Sequence, residues 1–206
     1  MNDTEIEQAT RHLSKTDSVM ALLIRHSGPL DLGRPGTPHF HSLVSAIINQ
    51  QLSVKAGQTI EKRLLTRQGG TRFQAPKLAS LDSTELRACG LSSNKVRYVR
   101  QLSLAVNEGD INFRKLVHLD DDSIRKMLIQ LPGIGPWTID MFLMNALRRP
   151  DVFPVDDLVL RQSMQRHYSL AADALRKDYL DIAARWRPYR SIATYYLWRN
   201  RPIKTS

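Results

Sequence analysis

The chain has 206 residues, 42% of them hydrophobic and 24% charged, enough for one domain or two small lobes with a buried core. A single cysteine, Cys89, excludes an intramolecular disulfide framework and the four-cysteine zinc and iron–sulfur sites. Thirty Lys and Arg against twenty Asp and Glu leave a formal charge of +10, which points to a polyanionic partner, nucleic acid before an acidic membrane surface.

Helical spacing recurs from end to end, while the period-two runs of a strand are scarce. Phe40, Leu43, Val44, Ile47 and Ile48 form an i, i+3, i+4, i+7, i+8 stripe. Leu52, Ala56, Ile60 and Leu64 continue as a second helix after a break near Asn49-Gln50-Gln51. Asp82-Ser83-Thr84-Glu85 has the layout of a capping box. Val96, Val99, Leu102 and Val106 mark a helix closed by Glu108-Gly109-Asp110. Asp120-Asp121-Asp122 opens another, through Ile124, Met127 and Leu128 into Leu131-Pro132-Gly133. Trp137 to Leu147, a segment from Leu158 onward, Ile182 to Trp186 and Ile192 to Trp198 supply the rest, broken at Pro188. The pattern predicts an all-α chain of about ten helices. Gly28-Pro29 to Gly36-Thr37-Pro38 and Arg148-Arg149-Pro150-Asp151 are turn-rich connectors. They divide the chain into a middle lobe near 38–150 and a second lobe of 1–37 with 151–206. No apolar run reaches the ~18 residues that span a bilayer, and Met1-Asn2-Asp3-Thr4-Glu5 lacks the basic start and apolar core of an export signal. A cytoplasmic protein with no membrane partner is expected.

Two stretches carry chemistry. Leu131-Pro132-Gly133-Ile134-Gly135-Pro136-Trp137-Thr138 lies between two helical patterns. Glycines two apart permit a hairpin, and without a Cβ a phosphate can approach the backbone amides at the second helix's start. An isolated Gly-x-Gly is most simply a helix–helix turn; in a basic, all-helical chain the anion-binding reading gains. The second stretch, Asp151-Val152-Phe153-Pro154-Val155-Asp156-Asp157-Leu158-Val159-Leu160, reads as a helix start. One aspartate can cap the helix, worth about 1 kcal/mol. A neighbouring carboxylate would then sit at the helix's positive end, where an anion is stabilised and can face a cationic sugar or activate water.

Leu131-Pro132-Gly133-Ile134-Gly135 followed by Pro154-Val155-Asp156-Asp157 resembles the helix-hairpin-helix DNA glycosylases, which have a Gly-Pro-rich loop and an essential Asp. The branch that looks most similar is 3-methyladenine DNA glycosylase II. Ala46-Ile47-Ile48-Asn49-Gln50-Gln51-Leu52-Ser53-Val54, Leu86-Arg87-Ala88-Cys89-Gly90-Leu91-Ser92 and Trp186-Arg187-Pro188-Tyr189-Arg190-Ser191 match that branch in order. The resemblance implies a two-lobed helical fold and excision of an alkylated purine from damaged duplex DNA by one copy of the chain, associated with the nucleoid. No cofactor is implied and no iron–sulfur cluster. Gly133, Ile134, Gly135 and Thr138 would grip phosphate. A sodium or potassium ion would be held by the carbonyls of Ile129, Leu131 and Ile134. The turn after Ile48 would supply the wedge that fills the stack, Gln51 or Leu52, with Gln50 left open and Ser53 beside them on DNA. Strand-cutting members carry a lysine after the hairpin for a Schiff base; Trp137 stands there, which implies a monofunctional enzyme. Trp137, Met141 and Trp198 fall where the family builds its base pocket, with Met141 in place of a tyrosine.

A gap-free count from Trp137 puts the essential carboxylate at Asp157, with Asp156 as the cap. The oxidised-guanine and endonuclease III branches align better with Asp156. A non-catalytic helix-hairpin-helix DNA-binding protein, or the same fold acting on mismatched or oxidised bases, are the competing readings. His39 and His41 are expected at solvent or phosphate, and His167 has no carboxylate at metal spacing. Cys89 is read as a small buried apolar group. Arg185, Arg187, Arg190, Arg199 and Arg201 crowd the C-terminal segment, as DNA contacts or as a solvated face.

Overall fold

The computed structural model describes residues 1–33 and 39–200; Arg201 and the end of the first connector lie outside them. Every regular element among the described residues is helical. Asn2 and Glu5 close a capping box that starts α1 (Asp3–Thr16). Asp17 ends it and caps α2 (Ser18–Ser27). α3 (His39–Asn49) and α4 (Val54–Gln68) are joined by a short turn, with Ser53 as the α4 cap. The predicted start of this helix at Leu52 thus shifts to Val54, because Gln51 takes a left-handed backbone (φ 56°) that no helix continues. α5 (Ala75–Ser80) and α6 (Ser83–Ala88) follow, α6 opened by the expected Asp82–Glu85 capping box. α7 (Ser93–Glu108) is capped by Ser92 and stops at a left-handed Gly109. α8 (Phe113–Leu116), α9 (Asp121–Leu128) and α10 (Pro136–Met141) complete this region, with a π-helical turn at Phe142–Ala146. α11 (Leu158–Tyr168), α12 (Arg176–Ala183) with a 3-10 turn to Trp186, and α13 (Arg190–Arg199) end the described chain. None of the helices among the described residues is long and apolar enough to cross a membrane.

The chain divides into two compact units, Met1–Pro35 with Arg148–Ser206, and Gly36–Leu147. In the second unit the whole α3 stripe is buried, Phe40 at 7% and the other four at 0% exposure. Each such side chain contributes ~1.5–3 kcal/mol relative to exposure. α3 packs against α4, α7, α10 and the π-helical turn, so it forms the unit's axis.

The first unit is built from two distant segments, and Asp17 is a buried carboxylate that ties them together. Asp17 Oδ1 accepts from the amides of Val19 and Met20, while Oδ2 accepts from Tyr168 Oη and Trp186 Nε1, both at 3.0 Å. Four donors satisfy a charge that would otherwise be costly to bury. The segment before α11 is stapled to α13: Arg190 grips Asp151 through Nε and Nη2, and Ser191 exchanges hydrogen bonds with Val152.

Candidate active site

In the second unit, α9, the turn Leu131–Gly135 and α10 form the hairpin. Gly133 has φ +82°, and a Cβ there would lie 2.2 Å from the Tyr98 ring. Only glycine fits, because both the backbone region and the space are closed to other residues. Gly135 faces open space where its Cβ would be, so a bulky anion can reach this backbone. Ile134 is buried and donates its N–H to the Leu131 carbonyl at 3.1 Å. Pro136 occupies the first position of α10, where its missing N–H costs nothing. Arg125 on α9 pairs with Asp140 on α10, fixing one arm of the hairpin to the other.

Thr138, expected to contact DNA, has a buried side chain. It is 2% exposed, and its hydroxyl accepts from Gln50 Nε2 at 3.2 Å. The same Gln50 nitrogen donates to the Gly133 carbonyl at 2.7 Å. Gln51, Leu52 and Ser53 are exposed at the apex of the turn, with Ser53 Oγ also capping α4. The carbonyls of Ile129, Leu131 and Ile134 offer neutral, hard oxygens, a donor set that suits an alkali cation. No cluster of His, Cys, Asp or Glu among the described residues could hold a metal ion. Trp137, on the first turn of α10, is 37% exposed, and Met141 lies with its sulfur 3.9 Å from Asn145 Nδ2.

In the first unit the aspartate pair separates sharply. Asp157, not Asp156, caps α11: it precedes the helix with an extended backbone, and its Oδ1 accepts from Leu160 N–H at 2.7 Å. The expectation that Asp156 caps and leaves Asp157 uncommitted is therefore corrected. Asp156 lies one residue before the cap and is exposed, 3.7 Å from Arg176 Nε. Asp157 is 8% exposed. Its Oδ1 also accepts from Trp198 Nε1 at 2.9 Å. These two bonds orient the Asp157 carboxylate. Trp198 is half-buried, its ring edge-on to Tyr195 at 5.6 Å. The indole N–H of this expected pocket residue is thus committed to the carboxylate.

Other expectations change as well. His39 lies against the rings of Phe113 and Phe142, and His41 stacks on Phe73 while its Nδ1 accepts from the Phe73 amide. Burial lowers both imidazole pKa values, which favours the neutral ring in a packed interior over a phosphate contact. Arg187 and Arg190 bind Asp151, and Arg199 donates to the Pro29 carbonyl. His167 Nε2 lies 3.1 Å from the Asn200 carbonyl. Cys89 is buried, and desolvation raises its thiol pKa, as a small apolar group requires. Two residues absent from the sequence reading support the site, Tyr98 against Gly133 and Lys95 beside the α3–α4 turn. A trace of Lys95 was visible: a lysine in the first turn of α7 opposes the helix dipole and needs another reason to be there.

Residues 44–188 match the family described as HhH-GPD superfamily base excision DNA repair protein. The Bacillus subtilis protein YfjP is 32% identical over 205 residues, covering 96% of this chain and 70% of its own length. Among solved structures, a DNA-3-methyladenine glycosidase from Bacillus halodurans is similar with a TM-score of 0.83 at 31% identity, over 93% of this chain and 88% of that one. The 3-methyladenine DNA glycosylase Mag1 of Schizosaccharomyces pombe, in complex with abasic DNA, gives 0.82 at 28% identity, over 93% and 95%.

Proposed function

The chain belongs to the HhH-GPD superfamily of base excision DNA repair proteins, and from that premise we propose that it releases alkylated purines from duplex DNA without cutting the strand. It is a DNA glycosylase for alkylated bases, and the reading extends to 3-methyladenine and 7-methylguanine as substrates. The observation that carries the mechanism is Asp157, a buried carboxylate fixed at a helix N-terminus by Leu160 N–H and Trp198 Nε1.

Methylation at purine N3 or N7 makes the base cationic, so it leaves with the electron pair of the N-glycosidic bond as a neutral molecule. The sugar is left as an oxocarbenium-like cation. Asp157 faces that charge as a pre-oriented anion, whose reorganisation was completed on folding. Water then adds to the sugar carbon and loses a proton, giving an abasic site. Trp137 cannot form a Schiff base, so no covalent enzyme–sugar intermediate leads to strand scission. Its indole face, rich in π-density, attracts a cationic ring. Backbone at Gly133–Gly135 approaches the phosphate. A sodium or potassium ion, held by the carbonyls of Ile129, Leu131 and Ile134, would add positive charge facing that phosphate.

The test is incubation with DNA carrying 3-methyladenine and 7-methylguanine, followed by chromatography of released bases and a denaturing gel before and after alkali. Free alkylated base and strand cleavage only after alkali are expected. Tight duplex binding with no base released would overturn the glycosylase reading. A nick before alkali, with an adduct trapped by borohydride, would overturn the monofunctional one.

A further inference from the structure

The α3–α4 turn carries more hydrogen bonding than a connector between two helices needs. α3 ends without a basic residue in its last turn, so its C-terminal carbonyls lack the usual cationic partner. Lys95, from α7, supplies it: Nζ donates to the Ile48 and Gln50 carbonyls, both at 2.7 Å. Loss of water on burial pushes this ammonium below the ordinary lysine value. From the other side Gln50 Nε2 binds the Gly133 carbonyl and the Thr138 hydroxyl. Beneath the turn Asn49 donates to Ser45 O and Glu61 Oε1, in space that a Cβ at Gly57 would close. Between these ties Gln51 holds a left-handed backbone, and Leu52 stands 40% exposed. A strained, multiply tied turn presenting an exposed leucine is suited to inserting an apolar side chain between base steps.

We infer that Lys95 and Gln50 are positioning residues of a brace that locks the Gln51–Leu52 apex to the hairpin at Gly133, so that gripping the phosphate and entering the base stack are one event. The inference rests on the glycosylase reading and concerns how that enzyme opens the duplex. Both side chains spend their donors on groups of this unit. Lys95 sets the direction of the turn through its carbonyls, and Gln50 sets its distance from the hairpin. A displacement of about 1 Å at such a point is enough to cost ~10²-fold in rate.

The experiment compares wild type, Lys95→Met, Gln50→Met and the double variant. Single-turnover release of 7-methylguanine is measured from two duplexes, one with cytosine opposite the lesion and one with an abasic analogue opposite. Unpairing is needed in the first and largely absent in the second. Each single variant is expected to lose about 10- to 100-fold on the paired duplex and under ~3-fold on the unpaired one. The double variant should lose no more than the worse single, because the two residues act on one element. Affinity for undamaged duplex should stay within ~3-fold, since the hairpin's own backbone is intact. Equal losses on both duplexes, or no loss on either, would overturn the brace. If Lys95→Met does not fold, Gln50→Met carries the comparison, as it removes only a side-chain tie. Wild type that releases no base from either duplex would instead overturn the glycosylase reading.

Discussion

Asp157 caps α11 and, in the proposed function, also faces the sugar cation, and substitutions can separate the two roles. Asn caps a helix about as well as Asp, and its side-chain oxygen can still accept from Leu160 and Trp198. Asp157→Asn should therefore leave the melting temperature within about 2 °C while excision falls at least ~10²–10³-fold, the usual loss for one well-placed electrostatic group. Asp156→Asn, at an exposed position, should change the single-turnover rate by less than ~5-fold, since surface pairs such as its contact with Arg176 contribute little. An inverted result would move the chemistry to Asp156, and normal rates in both would remove the carboxylate from the mechanism. Trp198→Phe keeps an aromatic ring and deletes the indole donor to Asp157. It should lower stability by ~1.5 kcal/mol, the low end for a hydrogen bond to a charged group, and slow excision without changing duplex affinity. The sequence placed the aspartate pair at a helix start but reversed the capping role. Which of two adjacent residues takes the extended N-cap backbone is set by the Pro154–Asp157 turn together with the grip of α13 on Asp151, the latter a tie from far along the chain.

At the level of elements, the hairpin is set by an aromatic ring as much as by its glycines. Gly133→Ala would drive a Cβ into Tyr98 and force a side chain onto φ +82°, so it should weaken binding to damaged and undamaged duplex alike. Adding Tyr98→Ala should recover part of that loss, because the clash goes and only the backbone strain, ~1–2 kcal/mol, remains. A loss confined to lesion-bearing DNA, measured by titration of both duplexes, would argue that the hairpin reads the base. Periodic elements were legible: the α3 stripe is buried as its spacing requires, and the Asp82–Glu85 box opens α6. Short ones were not, because four residues in α8 and six in α5 show too little period to register. The π-helical turn after Met141 was also invisible, since inserting one residue per turn changes hydrogen bonding and not composition. Tyr98 and Lys95 were missed for a related reason: each lies on α7, distant in sequence from the turn it supports.

For the molecule as a whole, the charge of +10 overstates the side chains available to DNA. Arg148, Arg190 and Arg199 spend donors on carbonyls of their own unit, and Arg125 on Asp140. Duplex affinity should fall linearly in log–log terms with salt, by ~0.9 for each phosphate neutralised. Replacing an internally bound arginine such as Arg190 with Met should leave that slope unchanged while lowering the melting temperature, whereas loss of a phosphate contact would reduce it by ~1. Asp17 carries a different consequence. Its partners Tyr168 and Trp186 lie 151 and 169 residues further along the chain. During synthesis the unit that carries the hairpin, through Leu147, emerges before those partners exist, whereas the unit holding Asp157 must wait for α13. A nascent chain thus completes its hairpin early and its carboxylate's setting last, so on the proposed function a prematurely released fragment is expected to bind duplex without excising a base.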